Sequence, residues 1–270
     1  MNTECKSILF AIAGSCEELY LDEWLKYNLK LGFTKIVIFE HNWEFKNKNH
    51  YSKNRVEFIP TFVNTFTEEG KFHNKARTNL RSKLIHNYLD NNSDWDLIAN
   101  FDCDEFLYFV RRYRSLTDLY QAKKDEPIIF VYWRIFGDNE LKTLDPKNPS
   151  VLKRFTKCDK NLCYVYGRGK TIMTRKGWEK GYRWIGSHQA KIFKDGKLKF
   201  DEEMVYYINR YKDFNVELYH YRNKTPEENK IRRGNWLTGT SELMDNFYNK
   251  NDIDNFNARN FLYGKEKSFF

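Results

Sequence analysis

The sequence predicts an α/β protein built as a doubly wound, mostly parallel sheet flanked by helices. Three observations carry that expectation. Short apolar runs alternate with longer amphipathic stretches through the first hundred or so residues, the pattern of parallel strands joined by helical crossovers. The first two runs and the stretch between them form a strand–helix–strand unit. A carboxylate cluster of Asp102, Asp104 and Glu105 follows directly on the fourth run, and ligands in open α/β sheets bind outside the carboxyl ends of the strands.

Ser7–Ala13 (SILFAIA) is apolar almost throughout and reads as a strand buried on both faces. In Leu19–Leu31, Leu21, Trp24, Leu25, Asn28 and Leu29 recur at helical spacing, and Gly32 stands where a C-cap belongs. Thr34–Glu40 (TKIVIFE) is the second strand, which implies a parallel pair with a right-handed crossover. Arg55–Phe62 is the third, with Pro60 near its end. A long helix is expected over Glu68–Asn87, with Ala76, Leu80, Leu84 and Tyr88 along one side. Leu97–Phe101 is the fourth strand and Ile128–Phe136 the next, followed by shorter ones at Thr171–Thr174, Ala190–Phe193 and Val216–Tyr219. From Thr225 onward the chain reads as mostly helical. Thr225, Pro226 and Glu228 occupy N-cap, N1 and N3 of a capping box there.

Composition narrows the class. At 270 residues with 17% aromatic content the chain can bury a large core. A mean hydropathy of −0.79, 31% charged residues and no run of roughly 20 apolar residues predict a soluble protein. The opening residues lack the features of a secretory signal, so a cytoplasmic location is expected. The five cysteines are scattered without zinc-site spacing and are expected as reduced thiols. The net charge of +9 points to an anionic partner: nucleic acid, anionic lipid headgroups, or nucleotides and phosphorylated substrates. Cations and acids are interspersed, whereas a single-strand-binding surface needs clustered cations with aromatics between them.

The acidic cluster carries the chemistry. Ionised carboxylates in so apolar a stretch need a cation or solvent to compensate their burial. Aspartates at i and i+2 of a strand point the same way. Asp102 and Asp104 would then form a pair of hard oxygen ligands for Mg²⁺ or Mn²⁺, metals that take one or two carboxylates plus substrate phosphates. His188 or His220 could complete such a site as neutral imidazole. Near the end, His220, Arg222 and Lys224 precede the capped helix, on which Lys230 and Arg233 share a face. They read as a cationic clamp for a departing diphosphate.

Taken in order, these residues resemble the GT-A glycosyltransferases of the family 92 and related family 2 (DUF23-like) type, from about Phe10 to Gly234. The resemblance rests on Glu17-Glu18, Glu23-Trp24-Leu25 and Leu31-Gly32, on Phe39-Glu40-His41-Asn42, and on Asp102-x-Asp104-Glu105-Phe106-Leu107. It continues with Trp133-x-x-Phe136-Gly137, Lys170-Thr171-Ile172, His188, and a closing His220-Tyr221-x-x-Lys224-Thr225 with Lys230-x-x-Arg233-Gly234. Ser15 and Cys16 depart from the family's Lys-Asn, and Asn28 and His73 from its histidine and glutamine.

The resemblance implies a GT-A (Rossmann-like) nucleotide-diphospho-sugar transferase fold, with residues 1–224 as the catalytic domain and 225–270 as a helical extension packed on it. It implies transfer of a sugar from a nucleotide donor, UDP-hexose, to a hydroxyl of a glycan or lipid-linked glycan acceptor, with peripheral contact to a membrane and no nucleic acid. Glu17 and Glu40 are implied to face the nucleotide, joined in donor binding by Asp102, Lys170, Lys224 and Arg233. Asp102, Asp104 and His220 are implied to hold Mn²⁺ or Mg²⁺. An inverting displacement also needs a carboxylate base. Asp138 is the expected one, with Glu140, Asp201 and Glu202 as the other candidates. Two further classes share features of the chain: a metal-dependent nucleotidyl- or phosphoryltransferase using the same acidic pair, and a basic nucleic-acid-binding module.

Overall fold

The computed structural model describes residues 4–61, 74–161, 168–185, 189–194, 197–198, 210–236 and 249–264. Its centre is an eight-stranded sheet of order β3-β2-β1-β4-β8-β6-β12-β5. The strands are β1 (Ser7–Ala13), β2 (Lys35–His41), β3 (Val56–Thr61), β4 (Leu97–Asn100), β5 (Glu105–Phe109), β6 (Ile128–Ile135), β8 (Gly169–Thr174) and β12 (Lys212–His220); after β8 and the short helix α5 (Arg175–Glu179), β9 (Tyr182–Ile185), β10 (Gln189–Lys194) and β11 (Lys197–Leu198) form a separate small sheet. β3, β2, β1 and β4 run parallel, and β6 and β12 share their direction; β8 and β5 run against them. The mostly parallel α/β sheet expected from the alternation is therefore present, with β8 and β5 as antiparallel members.

Alternation within β1 shows why its sequence is apolar at nearly every position. Leu9, Ala11 and Ala13 join one core with α1 (Leu21–Leu31), while Ile8, Phe10 and Ile12 join a second with α2 (Asn74–Asn91). Burial on both faces removes the need for a polar side. Gly32 closes α1 in the left-handed region at φ 106°, where its amide reaches the carbonyls of Asn28 and Leu29.

Three readings of the sequence are corrected. α2 continues to Asn91, past the expected end at Asn87, and residues 68–73 lie outside the described part. Its buried stripe is Arg81, Ile85 and Leu89, whereas Leu84 and Tyr88 are only partly buried. The stripe is rotated by one residue, so an arginine faces inward. β12 is a nine-residue strand rather than a short one. Beyond Thr225 the described residues hold the helices α6 (Pro226–Trp236) and α7 (Asn257–Tyr263), and between them β13 (Ile253–Asp254) pairs with β7 (Lys157–Cys158).

β5 and the helix α3 (Leu116–Lys123) were not anticipated. β4 and β5 lie four places apart, about 19 Å in a flat sheet at about 4.8 Å per strand. Only Phe101 to Asp104 connect them, and part of that length is a turn closed by Glu105 N–H donating to Asp102 O at 2.9 Å. So short a link cannot cross a flat sheet; the sheet must curl and bring β5 back toward α1. The outer edge of β5 is met there by α1: Trp24 Nε1 donates to Glu105 O at 2.8 Å and Tyr27 Oη to Leu107 O at 2.7 Å.

α1 also anchors the C-terminal segment. Buried Glu23 accepts from Val151 N–H at 2.7 Å, from the Ser150 hydroxyl, and from Tyr263 Oη at 2.6 Å, capping α4 (Val151–Arg154) and pinning α7. Glu23→Ala leaves the buried Val151 amide and Ser150 hydroxyl without this acceptor. Each such group costs about 1–3 kcal/mol, so a loss of roughly 3 kcal/mol is expected in urea denaturation. A change under about 0.5 kcal/mol contradicts the anchoring role. No helix among the described residues is long and apolar enough to cross a membrane.

Candidate active site

Parallel strands end on a common edge, and the candidate residues collect at it. Ala13 of β1 lies beside Glu40 of β2, and Ile135 of β6 beside His220 of β12. β8 runs the other way, so its first residues, Gly169 and Lys170, reach the same edge. Gly169 is required there: a Cβ would lie 2.1 Å from Val131 O, closer than van der Waals contact allows.

Asp102 and Asp104 do not share a strand face. Both lie in the turn between β4 and β5, where Asp102 N–H donates to Glu105 Oε2 at 2.8 Å and the Glu105 amide returns the bond. The period of two on which the sequence reading relied does not apply within such a turn. Asp102 meets Arg81 Nη1 at 2.6 Å and Lys170 Nζ at 2.8 Å, one cation on each oxygen. Asp104 instead meets Lys224 Nζ at 3.1 Å on Oδ2 and His220 Nε2 at 3.6 Å on Oδ1. Tyr221 N–H donates to Asp104 O at 2.9 Å and fixes the turn against the end of β12.

Lys170 is fully enclosed between Asp102 and Glu105, the latter at 3.3 Å. Burial raises the Asp102 carboxyl, but Lys170 and Arg81 outweigh it and hold the group well below the usual carboxylate range. Glu105 has a single shared cation and no solvent. Burial pushes its carboxyl up to about 8, with Lys170 opposing and Asp102 adding to the shift.

Between its ordinary 4.5 and about 8, Glu105 keeps its proton in the native state and loses it in the unfolded chain. Stability from this group therefore falls as pH rises through that window. Glu105→Gln should flatten the fall. Urea midpoints at pH 5 and pH 8 check it, and an unchanged difference between them in the variant contradicts the assignment. Asp102 acts in the opposite sense, its stabilisation being lost on acidification below the ordinary aspartate range.

His220 is buried beneath Trp133, with ring centroids 4.4 Å apart. Burial drives its imidazole down to about 3, against the nearby Asp104 and Asp102, so it is neutral and able to donate a lone pair. Its Nδ1 has no hydrogen-bond partner among the described residues.

The remaining candidates divide clearly. Glu17 Oε2 accepts from Gly14 N–H at 2.8 Å and Glu40 Oε1 from Phe45 N–H at 2.7 Å, so each orders its own loop at the strand edge. Asp138 Oδ1 accepts from Glu140 N–H at 2.8 Å and from Asn251 Nδ2 at 3.2 Å, a turn packed against the C-terminal segment. Arg233 belongs to α6, but its side chain lies outside the described part, as do His73, His188, Asp201 and Glu202. Lys224 is buried at the start of α6, its Nζ bonded to Tyr221 O at 3.0 Å and 4.7 Å from the Tyr20 ring centroid. The capping box at Thr225 is present, and Glu228 also holds Arg154 in a bidentate pair at 2.7 and 2.8 Å.

Three contributors escaped the sequence reading. Arg81 looked like a polar residue beside the Leu80–Leu84 stripe. Glu105 read only as a member of the carboxylate cluster, with nothing to single it out as the buried strut. Tyr20 carried no motif. Only the one-residue rotation of α2 could have drawn attention to Arg81.

Among the described residues no group of three or more His, Cys, Asp or Glu side chains is placed to hold a metal ion. Asp104 Oδ1 and His220 Nε2 nonetheless form an anionic and a neutral donor spaced so that one ion could touch both. That pair fits a site completed by substrate phosphates, as Mg²⁺ and Mn²⁺ sites commonly are. Asp102 does not add a third donor in this arrangement, because both its oxygens face protein cations.

No family model and no curated protein matches this chain. Among solved structures, the crystal structure of HddC from Yersinia pseudotuberculosis matches over 83% of this chain and 96% of its own. The sequence identity is 10% and the TM-score 0.31, too low a score to bear on fold or function.

Proposed function

We propose that this protein is a metal-dependent glycosyltransferase of the GT-A type that takes a nucleotide-sugar donor, UDP-linked, and transfers the sugar to a hydroxyl of a glycan or lipid-linked glycan. The observation that carries the reading is the Asp104–His220–Lys224 constellation, held at the carboxyl edge of the sheet beside the turn after β4. A carboxylate, a neutral imidazole and an ammonium gathered at that edge suit an anionic diphosphate with its divalent counter-ion better than a neutral ligand. The family resemblance of the motifs, in order along the chain, supports the same reading.

In this reading Asp104 and His220 would hold Mn²⁺ or Mg²⁺, which when bound would supply Lewis-acid stabilisation of the diphosphate leaving group. The chain's own residues do the rest. Arg81 and Lys170 keep Asp102 ionised and fixed at the mouth of the turn, where its carboxylate can orient the donor's ribose. Glu17 and Glu40 shape the loops after β1 and β2 that flank the nucleotide. Lys224 and Arg233 supply positive charge where negative charge grows on the leaving oxygen. Asp138 is the proposed base for the acceptor hydroxyl, from the loop that follows β6.

A screen of nucleotide sugars for Mn²⁺-dependent donor hydrolysis tests the proposal. Release of a nucleoside diphosphate, abolished by chelator, is the expected result. Release of pyrophosphate identifies a nucleotidyltransferase instead, and no metal-dependent turnover of any donor overturns the assignment.

A further inference from the structure

The charges of the described cluster nearly cancel before any ligand arrives. Both oxygens of Asp102 already face Arg81 and Lys170, and Asp104 already carries the Lys224 ammonium. A lone divalent cation approaching Asp104 therefore meets no net negative site. It also meets the Lys224 ammonium already seated on that carboxylate.

Lys224 differs from the other two cations in how it is held. Arg81 is tied by two directed bonds, to Asp102 Oδ1 and to Phe101 O at 2.8 Å. Lys170 is closed in by two carboxylates and wholly buried. Lys224 has one carboxylate, one carbonyl and the face of Tyr20. Its backbone is fixed by the Thr225–Glu228 cap and the Arg154 pair, while the four-carbon stem leaves the ammonium free to rotate to a new acceptor.

We propose that Lys224 is an internal counter-ion for Asp104, which it yields to the metal only when a nucleotide's diphosphate takes the ammonium. This inference rests on the glycosyltransferase reading and deepens it. Metal and nucleotide then bind interdependently, each tightening the other by the same factor, as linkage requires. A diphosphate brings the negative charge the site lacks and offers Lys224 oxygen acceptors in place of Asp104. The metal takes the carboxylate oxygen so released. The arrangement keeps the edge from collecting free divalent ions when no donor is present.

The test is a thermodynamic cycle on the full chain with Mn²⁺ and UDP, reading free Mn²⁺ by electron paramagnetic resonance and UDP by calorimetry. In the wild type, saturating UDP should tighten Mn²⁺ by about tenfold or more, within the usual range of coupling between sites. Lys224→Met should move the two affinities in opposite directions: Mn²⁺ alone binds more tightly, UDP more weakly, and the coupling shrinks. A merely structural lysine would weaken both. UDP that binds with the same affinity with and without Mn²⁺ overturns the counter-ion role while leaving the glycosyltransferase reading in place. No UDP binding under either condition overturns both. The wild-type cycle needs no variant, so it decides the matter even where Lys224→Met fails to fold.

Discussion

Asp104→Asn is expected to abolish metal-dependent donor turnover, by about 10³-fold, while leaving a folded protein. The substitution keeps the shape of the side chain and an acceptor for Lys224, which lies 3.1 Å away. It removes the anionic charge that faces His220. Lewis-acid stabilisation of a phosphoryl oxygen is worth several kcal/mol, and about 1.4 kcal/mol corresponds to a factor of ten in rate. Initial rates with Mn²⁺ and each accepted nucleotide sugar measure the loss. Far-ultraviolet circular dichroism and the thermal midpoint report the fold. Wild-type rates in a folded Asp104→Asn protein would remove the site as assigned.

Lys170→Met should produce the largest loss of stability of any single change at the site, about 3–5 kcal/mol, the usual cost of stripping one partner from a buried ion pair. The side chain is wholly buried, with carboxylates at 2.8 and 3.3 Å. Removing its charge leaves Asp102 with Arg81 alone and the enclosed Glu105 with no cation. Methionine fills most of the volume, so the loss reports electrostatics rather than a cavity. The deficit should shrink only where acidification protonates Asp102, below the ordinary aspartate range, because Glu105 already keeps its proton below about 8. Chemical denaturation at pH 8 and at pH 5 measures the loss. A loss below about 1 kcal/mol at pH 8 contradicts the enclosed triad.

The two substitutions separate what the acidic cluster does. Asp102 and Glu105, through Lys170 and Arg81, hold the turn in place; Asp104, through His220 and Lys224, faces the chemistry. Residues that read as one motif thus belong to two constellations. Three positions along the chain, the turn points each carboxylate to a different set of cations.

Legibility followed the range of the interaction. The apolar runs of β1, β2, β4 and β6 were readable because burial on both faces is written in consecutive residues. The caps at Gly32 and Thr225 were readable because capping is satisfied within a few positions. β5 was not, since Glu105–Phe109 owes its strand conformation to β12, more than a hundred residues away, and to the reach of Trp24 and Tyr27. The orientation of α2 was likewise hidden. Leu80, Leu84 and Tyr88 suggest one stripe, while the acidic turn at the sheet edge draws in Arg81 on the next.

The order of residues alone established a twisted parallel core with carboxylates, a histidine and lysines placed where its strands terminate. Hydrophobic periodicity and capping are local, so they can be read from neighbours in the chain. Which acid meets which base was decided only when the curl of the sheet closed β5 onto β12 and brought Lys170, His220 and Lys224 to the turn at residues 102–105. Ion pairs are made between positions remote in sequence, and their energies depend on distance and on the exclusion of water, neither of which exists until the chain has folded.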